Sequence, residues 1–191
     1  MPAVPAAAAR QLAWYVSEHG AVLAPRGWHC FETYGSGGGT LYAAPERLDF
    51  DRAIARGTLR GPGVTLGVAI GATSGRFDVA ERIARYFPRY RGYIGGVRRM
   101  MGFDIGPMPR GPYPADRFVS RTATEVRLTT PPMRRGEATV GILAPNRDRA
   151  ESLVILDPRD DKNVVTAHVR LPRAQAALVP IIFSAVRRDN H

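Results

Sequence analysis

The residues most able to do chemistry lie in one stretch, 24–40, APRGWHCFETYGSGGGT, which contains the only cysteine. Cys30 follows His29, and a thiol can act as a nucleophile when a base reaches the sulfur within hydrogen-bond distance. Neighbours on a strand point to opposite faces, so His29 is a poor base for Cys30. His168 could take that role only if the fold brought it close. Because cysteine is often buried, we predict that Cys30 is a structural residue packed inside a sheet.

The glycine loop at 35–40, GSGGGT, contains Ser36 and resembles a phosphate-binding loop in composition only. It lacks the lysine of a P-loop, and Thr40 stands where a dinucleotide-binding fingerprint needs its third glycine. Ser36 also lacks the Gly-x-Ser-x-Gly elbow that exposes a nucleophilic serine. We interpret the loop as a hairpin turn whose backbone could contact a ligand. A hydrolase or transferase is the alternative, with Cys30, His29, His168 and Ser36 as its candidate catalytic residues.

A second glycine segment, residues 71–75, follows a predicted strand and precedes a predicted helix. That is the arrangement of an anion site at a helix N-terminus, where backbone N–H groups are free to bind. An ordinary turn, in which Thr73 or Ser74 caps the helix, is the favoured interpretation. The two glycine segments together give four candidate binding residues: Ser36, Thr73, Ser74 and Arg76.

The densest run of basic residues interleaves arginines with aromatic residues between positions 82 and 99. Arginine binds phosphate and aromatic rings stack on bases, which is how single-stranded nucleic acids are held. No recognised nucleic-acid module accompanies the run, and some of the aromatic residues are needed in the core. The interpretations left open are a solvated face, a surface for a protein or anionic partner, and a nucleic-acid site. The candidate binding residues are Arg85, Arg89, Tyr90, Arg91, Tyr93, Arg98 and Arg99.

The sequence predicts no metal and no cofactor. The four histidines, at positions 19, 29, 168 and 191, lack the short spacing of zinc ligands. The acidic stretch at 157–163, DPRDDKN, lacks the glycine and the terminal glutamate of an EF-hand, so we interpret it as a turn. A single cysteine also excludes an internal disulfide.

The chain of 191 residues carries a formal net charge of +10, although Lys162 is its only lysine. Its richness in Arg, Ala, Gly and Pro is typical of a high-GC bacterial genome, so part of the arginine excess reflects codon usage. Excess positive charge still favours acidic partners. No run of about 18 apolar residues is present, so no transmembrane helix is expected. The N-terminus does not have the pattern of a signal peptide, which leaves a cytosolic protein or one whose leader has been removed.

Periodicity of apolar residues predicts the elements of the first half. An alanine run predicts an N-terminal helix at about 5–19, ended by Gly20. Alternation predicts a strand at 28–34, and a continuous apolar run at 64–70 predicts a central strand covered on both faces. A helical stripe follows over 77–87.

The Gly- and Pro-rich stretch 102–114 is predicted to be a long loop between an α-rich first half and a β-rich second half. The second half ends in a helix that begins after Pro172 and is kinked or split at Pro180. We therefore expect one α+β domain spanning 1–191. Its single, mostly antiparallel sheet has about six to eight strands with three to four helices packed on it.

Three segments together resemble a known family: 24–42, 66–88 and the VRLP start of the last helix at 169–172. They are similar to an uncharacterised family of proteobacterial proteins, often made with an export signal, whose signature is APRGWHC…YGS. The resemblance covers about half of the chain. It implies a periplasmic location but no known reaction, so it assigns no catalytic residue.

Taken together, these patterns favour a non-enzymatic, periplasmic protein that binds a protein or anionic partner through a basic surface. No complete catalytic set is present, and the charge favours an acidic partner. The expected contact regions are the 35–39 loop, the 71–76 turn, the 85–99 segment and the 102–114 loop.

Overall fold

A computed structural model describes residues 4, 6–47, 59–101, 106–141, 143–159 and 161–189. The strands within these ranges are β1 (Leu12–Ser17), β2 (Gly20–Pro25), β3 (His29–Gly35), β4 (Gly38–Ala44), β5 (Gly63–Ala69), β6 (Arg117–Arg121), β7 (Glu125–Thr130), β8 (Ala150–Asp157) and β9 (Asn163–Arg170). The α-helices are α1 (Ala6–Ala9), α2 (Arg76–Tyr86), α3 (Gly92–Met101) and α4 (Val179–Asp189). Short 3-10 helices occur at Pro88–Tyr90, Glu137–Thr139 and Arg173–Leu178.

Seven strands form one sheet in the order β3-β4-β5-β9-β8-β7-β6, and every neighbouring pair is antiparallel. The remaining two strands, β1 and β2, form a separate antiparallel hairpin. The predicted fold class is confirmed: an α+β protein with a mostly antiparallel sheet of six to eight strands and three to four helices. The hairpin is an addition that the single-sheet prediction did not contain.

One face of the seven-stranded sheet, here called the apolar face, is covered by the β1–β2 hairpin and helix α4. Side chains two residues apart on a strand share a face, so each strand gives this face every second residue. The strand residues on it include Val64, Leu66, Leu153, Ala167 and Val169, each at most 2% exposed. Leu23 of the hairpin and Ile182, Phe183 and Val186 of α4 complete this core.

The second face of the sheet has two parts. Over β7 and β8 it is apolar, and helix α2 covers it with Val79 and Ile83 packed against Val126 and Val154. Over β3, β4, β5 and β9 the same face carries mainly hydroxyl and imidazole groups. We call this part the polar half-face, and its residues are Thr33, Thr40, Tyr42, Thr65, Gly67, Thr166 and His168.

The prediction of a helix at about 5–19 is wrong. Helix α1 is limited to Ala6–Ala9, and the residues after it form strand β1. The four alanines are too few to extend a helix alone, whereas Trp14, Tyr15 and Val16 favour a strand. Gly20, predicted to end a helix, has φ +156 and instead ends the hairpin turn. The Tyr15 hydroxyl donates to the Pro25 carbonyl at 2.8 Å and closes the hairpin.

The contrast between an α-rich first half and a β-rich second half is also wrong. Five strands, β1 to β5, precede the 102–114 loop, because the N-terminal segment pairs with itself and β3 to β5 join the main sheet. Residues 106–114 of that loop form no helix or strand, while 102–105 lie outside the described residues.

The strongest periodic signals correspond to observed elements. The strand predicted at 64–70 is β5, and the helix predicted at 77–87 is α2. The last helix is split as predicted: a 3-10 helix follows Pro172, and α4 begins at Val179. Pro180 fits there because the first turn of a helix does not use its missing N–H.

Candidate functional site

Cys30 lies on β3, the first strand at one edge of the sheet, and it is exposed. In the described part of the chain, β3 has β4 as its only neighbour, with Ala43 opposite Cys30. The prediction of a buried structural cysteine is therefore wrong. An edge strand has one side open to solvent. The alternation of residues within β3 does not indicate that this strand lies at the edge of the sheet.

The candidate catalytic residues are not brought together. His29 is exposed on β3 beside Cys30 but on the other face. His168 lies on β9, three strand spacings or about 14 Å across the sheet. Ser36 lies in the turn after β3, roughly 20 Å from Cys30 along the strand direction. No described histidine is hydrogen-bonded to the Cys30 thiol, so these four residues do not form a nucleophile–base pair.

His168 instead pairs with Ser152, directly opposite it on β8. The His168 Nδ1 and the Ser152 hydroxyl are 3.0 Å apart. Burial, assisted by the nearby Arg82 guanidinium, lowers the pKa of His168 to about 3, so the imidazole is neutral at pH 7. Ser152 is fully buried, which closes its hydroxyl to a substrate. The pair therefore satisfies two polar groups inside the sheet.

The two glycine-rich segments, 35–39 and 71–76, contact each other. The Ser36 and Ser74 hydroxyls are 2.8 Å apart, and the Ile70 N–H donates to the Gly37 carbonyl at 2.9 Å. Gly38 has φ +129, and a Cβ there would collide with the Val68 carbonyl oxygen. The glycines therefore allow the β3–β4 turn to pack closely on the end of β5.

Most polar groups of the 71–76 turn are used within the turn. The Thr73 hydroxyl donates to the Ile70 carbonyl at 2.8 Å, and the Arg76 guanidinium donates to the Thr73 and Ala72 carbonyls at 2.6 and 2.9 Å. Helix α2 has Gly75 as its N-cap and no side-chain cap, so the predicted capping by Thr73 or Ser74 is wrong. Of the candidate binding residues here, only Ser36 and Ser74 present exposed hydroxyls.

The aromatic residues of the basic segment face the protein rather than solvent. Tyr86 and Phe87 are at most 1% exposed, and Tyr90 and Tyr93 pack half-buried against the core beneath α2. The Tyr93 hydroxyl also donates to the Gly71 carbonyl at 3.3 Å. Little of this aromatic surface is therefore left for stacking on bases.

The arginines of the segment divide into a paired and an unpaired group. Arg85 donates to the Glu81 carboxylate at 3.0 Å and lies 3.8 Å over the ring centre of Tyr113. Arg82 lies 3.0 Å from a Glu137 carboxylate oxygen. By contrast, Arg89, Arg91, Arg98 and Arg99 are exposed and form no ion pair with any described residue.

Two of the unpaired arginines meet a third in a groove of about 510 Å³. Arg91 and Arg98 of the α3 region line it together with Arg110 from the loop before β6. Arg98 donates to the Gly106 carbonyl at 2.8 Å, which links α3 to that loop. We call this the arginine groove; its other lining residues are Ala84, Ile94, Gly95, Pro107, Met108 and Pro109.

A guanidinium has five N–H donors and keeps its charge at any physiological pH. Arg91, Arg98 and Arg110 therefore bring three positive charges to one groove that also offers apolar contact surface. The arrangement can bind carboxylates or phosphates, because guanidinium groups form charge-assisted, often bidentate hydrogen bonds with both.

Of the groove residues, the sequence analysis named Arg91 and Arg98 as candidate binding residues but did not name Arg110. The signal was present, since Arg110 lies in the Pro-rich loop that was expected to be a contact region. No local sequence pattern indicates that Arg110 lines a groove with two arginines from a distant segment.

A buried ionic network beneath α2 was also missed. Glu137 is 0% exposed; it accepts a hydrogen bond of 2.6 Å from the Tyr86 hydroxyl and forms an ion pair with Arg82. Asp116 accepts from the Thr130 hydroxyl at 2.6 Å and from the Glu137 N–H at 2.8 Å. Burial raises the pKa of Asp116, and these two hydrogen bonds partly offset the increase. Glu137 Oε1 accepts no hydrogen bond from a described residue and lies 3.0 Å from Arg82 Nε as an ion pair. The other contacts are between groups inside the protein, so the network supports α2.

The described residues contain no group of three or more His, Cys, Asp or Glu side chains that could hold a metal ion. None of the helices in the described ranges has the length and apolar character needed to span a bilayer. Comparisons with protein-family models and with curated proteins find no match for this chain.

Proposed function

We propose that the protein binds an acidic segment of a protein partner in the arginine groove and catalyses no reaction itself. The observation that carries the proposal is the convergence of Arg91, Arg98 and Arg110 on one groove of about 510 Å³ without an acidic neighbour among the described residues. The proposed compartment is the bacterial periplasm, which the resemblance to often-exported proteins supports.

The contrast between the paired and unpaired arginines supports a binding role. Three like charges that line one groove repel one another. Arg82 and Arg85 each have an acidic partner instead. An acidic partner would remove the repulsion and use the guanidinium donors.

The apolar lining supports a protein partner over a small inorganic anion. Ile94, Met108 and Pro109 line the same groove and offer surface for an aliphatic side chain. Arginine and methionine are both enriched where proteins bind each other. The separation of Cys30, His168 and Ser36 supports binding over the alternative hydrolase or transferase.

The test is fluorescence anisotropy with a labelled acidic peptide in which leucines alternate with glutamates. We expect saturable binding that weakens at least tenfold in the double variant R91E/R98E, because two attractive charges become repulsive. The matched control is R134E/R135E, which makes the same change in net charge at two exposed arginines outside the groove. The control should bind within about twofold of the wild type.

Three results would count against the proposal. Equal weakening in both double variants would mean that the peptide responds to net charge alone. Equal binding of a peptide with glutamine in place of glutamate would exclude charge recognition. Tighter binding of a single-stranded oligonucleotide, falling steeply with salt, would favour the nucleic-acid alternative.

A further inference from the structure

One row of the polar half-face consists entirely of threonine and glycine. Each of these residues is the register partner of the next across β3, β4, β5 and β9, and the row is Thr33, Thr40, Gly67 and Thr166. On the apolar face, the neighbouring row is Glu32, Leu41, Leu66 and Ala167, in which only the edge residue is polar. An antiparallel sheet can leave one face to solvent, so a row of hydroxyl groups on this face is open to water or to a polar ligand.

A cleft lies directly over this row. Its volume is about 180 Å³. Thr40, Gly67 and Thr166 line it from the sheet, and Asp78 and Arg82 line it from helix α2. The remaining lining residues are apolar: Val68, Ala69 and Val164. It adjoins a second cleft of about 260 Å³ above the β3–β4 turn, with which it shares Thr40 and Asp78.

Gly67 keeps the sheet side of the first cleft open. A Cβ at this position would lie 2.8 Å from the Thr166 hydroxyl and 3.3 Å from the Thr40 hydroxyl. A side chain on Gly67 would therefore fill the space between the two hydroxyl groups. The absence of a side chain in the middle of a central strand normally weakens the strand, so it is notable where it opens a cleft.

The polar groups that line this cleft are free to bind. Neither hydroxyl, Thr40 or Thr166, forms a side-chain hydrogen bond with a described residue, and the exposed Asp78 carboxylate has no ion pair there. Arg82 directs Nε to Glu137 at 3.0 Å and Nη1 toward Glu81 at 3.6 Å. Because a guanidinium has five donors, Arg82 can still donate to a ligand.

We infer that this cleft binds a free α-amino acid. Asp78 and Arg82 are four residues apart on one helix, so their side chains emerge about 5–6 Å from each other on the same side. An α-amino acid carries an ammonium and a carboxylate close together, and the two charges match this carboxylate and guanidinium. Thr40 and Thr166 supply further hydrogen bonds from the sheet, and the adjoining cleft of about 260 Å³ has room for the ligand side chain.

The charges of the cleft disfavour other ligand classes. Glu137 already balances Arg82, so the charge left over is that of Asp78, which would repel a phosphate or a dicarboxylate. An apolar ligand would cover the hydroxyl groups without bonding to them, which costs free energy. A ligand with one ammonium and one carboxylate can pair with both the Asp78 carboxylate and the Arg82 guanidinium. This inference involves none of the arginine-groove residues and stands apart from the proposed function.

The test is isothermal titration calorimetry of the full chain with the proteinogenic L-amino acids, one at a time. We expect saturable binding of at least one of them. Its N-acetyl derivative and its methyl ester, which each lack one charge, should bind at least tenfold more weakly. D78N and T166V should weaken binding by a similar factor, while E18Q, which removes one exposed carboxylate from the β1–β2 turn, should not.

Several outcomes would overturn the inference. One is that no amino acid binds at millimolar concentration; another is that the N-acetyl derivative binds as well as the free amino acid. Equal weakening by D78N and E18Q would mean that the effect on binding does not come from the cleft. Saturable binding of a monosaccharide and of no amino acid would mean that the ligand is a sugar. R91E/R98E should leave amino-acid binding unchanged, so failure here and failure of peptide binding are separate results. Circular dichroism of each variant confirms that it is folded.

Discussion

The two faces of the seven-stranded sheet are built from the same strands and differ in what they carry. On β5 and β9 the apolar face presents Val64, Leu66 and Val169, whereas the polar half-face presents Thr65, Thr166 and His168. The hairpin and helix α4 cover the first face. Over the second face, α2 leaves a cleft with free hydroxyl groups. The apolar face therefore stabilises the fold mainly by burial, whereas the second face also holds hydroxyl groups without a partner among the described residues.

The arginine groove is separate from both faces of the sheet. It shows the same separation between groups that stabilise the fold and groups proposed to bind a ligand. Its arginines are carried by α3 and by the loop that leads to β6, neither of which contributes a strand to the sheet. The groups proposed to bind ligands thus lie on α2, near α3, on the loop before β6 or on the polar half-face, and none of them lies on the apolar face. Substitutions that change packing and binding separately test whether this division holds.

The largest expected effect is on the apolar face. F183A should lower the free energy of unfolding by about 3–5 kcal/mol, because it removes a fully buried aromatic side chain and leaves a cavity. Guanidinium denaturation followed by circular dichroism measures the change. The control is F118A on the edge strand β6, where the side chain is 41% exposed; it should cost about 1 kcal/mol or less. Equal costs for the two variants would contradict the assignment of the apolar face as the main core.

The second effect is the pH dependence that His168 contributes. Its pKa is about 3 in the folded protein and about 6.5 in the unfolded chain. Between these values the unfolded chain binds a proton that the folded protein does not, so stability is lost as the pH falls from 6.5 toward 3. The loss is up to about 1.4 kcal/mol per pH unit, or about 2–3 kcal/mol by pH 4.5.

H168Q is the matched variant for this measurement, because its amide can still bond to Ser152 and does not titrate. Denaturant titrations of both proteins at several pH values should show the steeper loss in the wild type. Carboxylates that titrate in the same range contribute equally to both and cancel. Parallel curves would mean that His168 is as accessible to protons in the folded protein as in the unfolded chain.

Structural elements that produce a local sequence pattern could be predicted, whereas those that depend on contacts between distant residues could not. Strand β5 and helix α2 were predicted because a continuous apolar run and a helical stripe are local patterns. The helix at 5–19 was wrong because β1 owes its conformation to pairing with β2, a contact that periodicity does not encode. The burial of Cys30 was wrong for a similar reason, since it depends on which strand forms the edge.

The sites show the same limit. The sequence identified Arg91 and Arg98 by charge density but could not show that Arg110 lines the same groove. It identified His168 as a candidate base, yet its partner Ser152 is a cross-strand neighbour that only the register reveals. The row of Thr33, Thr40, Gly67 and Thr166 comes from four strands distant in sequence, so no local motif could have indicated it.

The smallest expected effect compares two threonines on the second face. T130V should cost about 1.5–3 kcal/mol, because the Thr130 hydroxyl donates to the Asp116 carboxylate at 2.6 Å and Asp116 would lose a charge-assisted hydrogen bond. T166V should change the free energy of unfolding by less than about 0.5 kcal/mol, because that hydroxyl has no partner among the described residues. Urea denaturation of both variants measures the difference. If T166V proves as costly as T130V, the hydroxyl has a structural role and the cleft loses its clearest ligand-binding group. If T166V is neutral for stability and weakens amino-acid binding, the hydroxyl is retained for the ligand, because packing gains nothing from it.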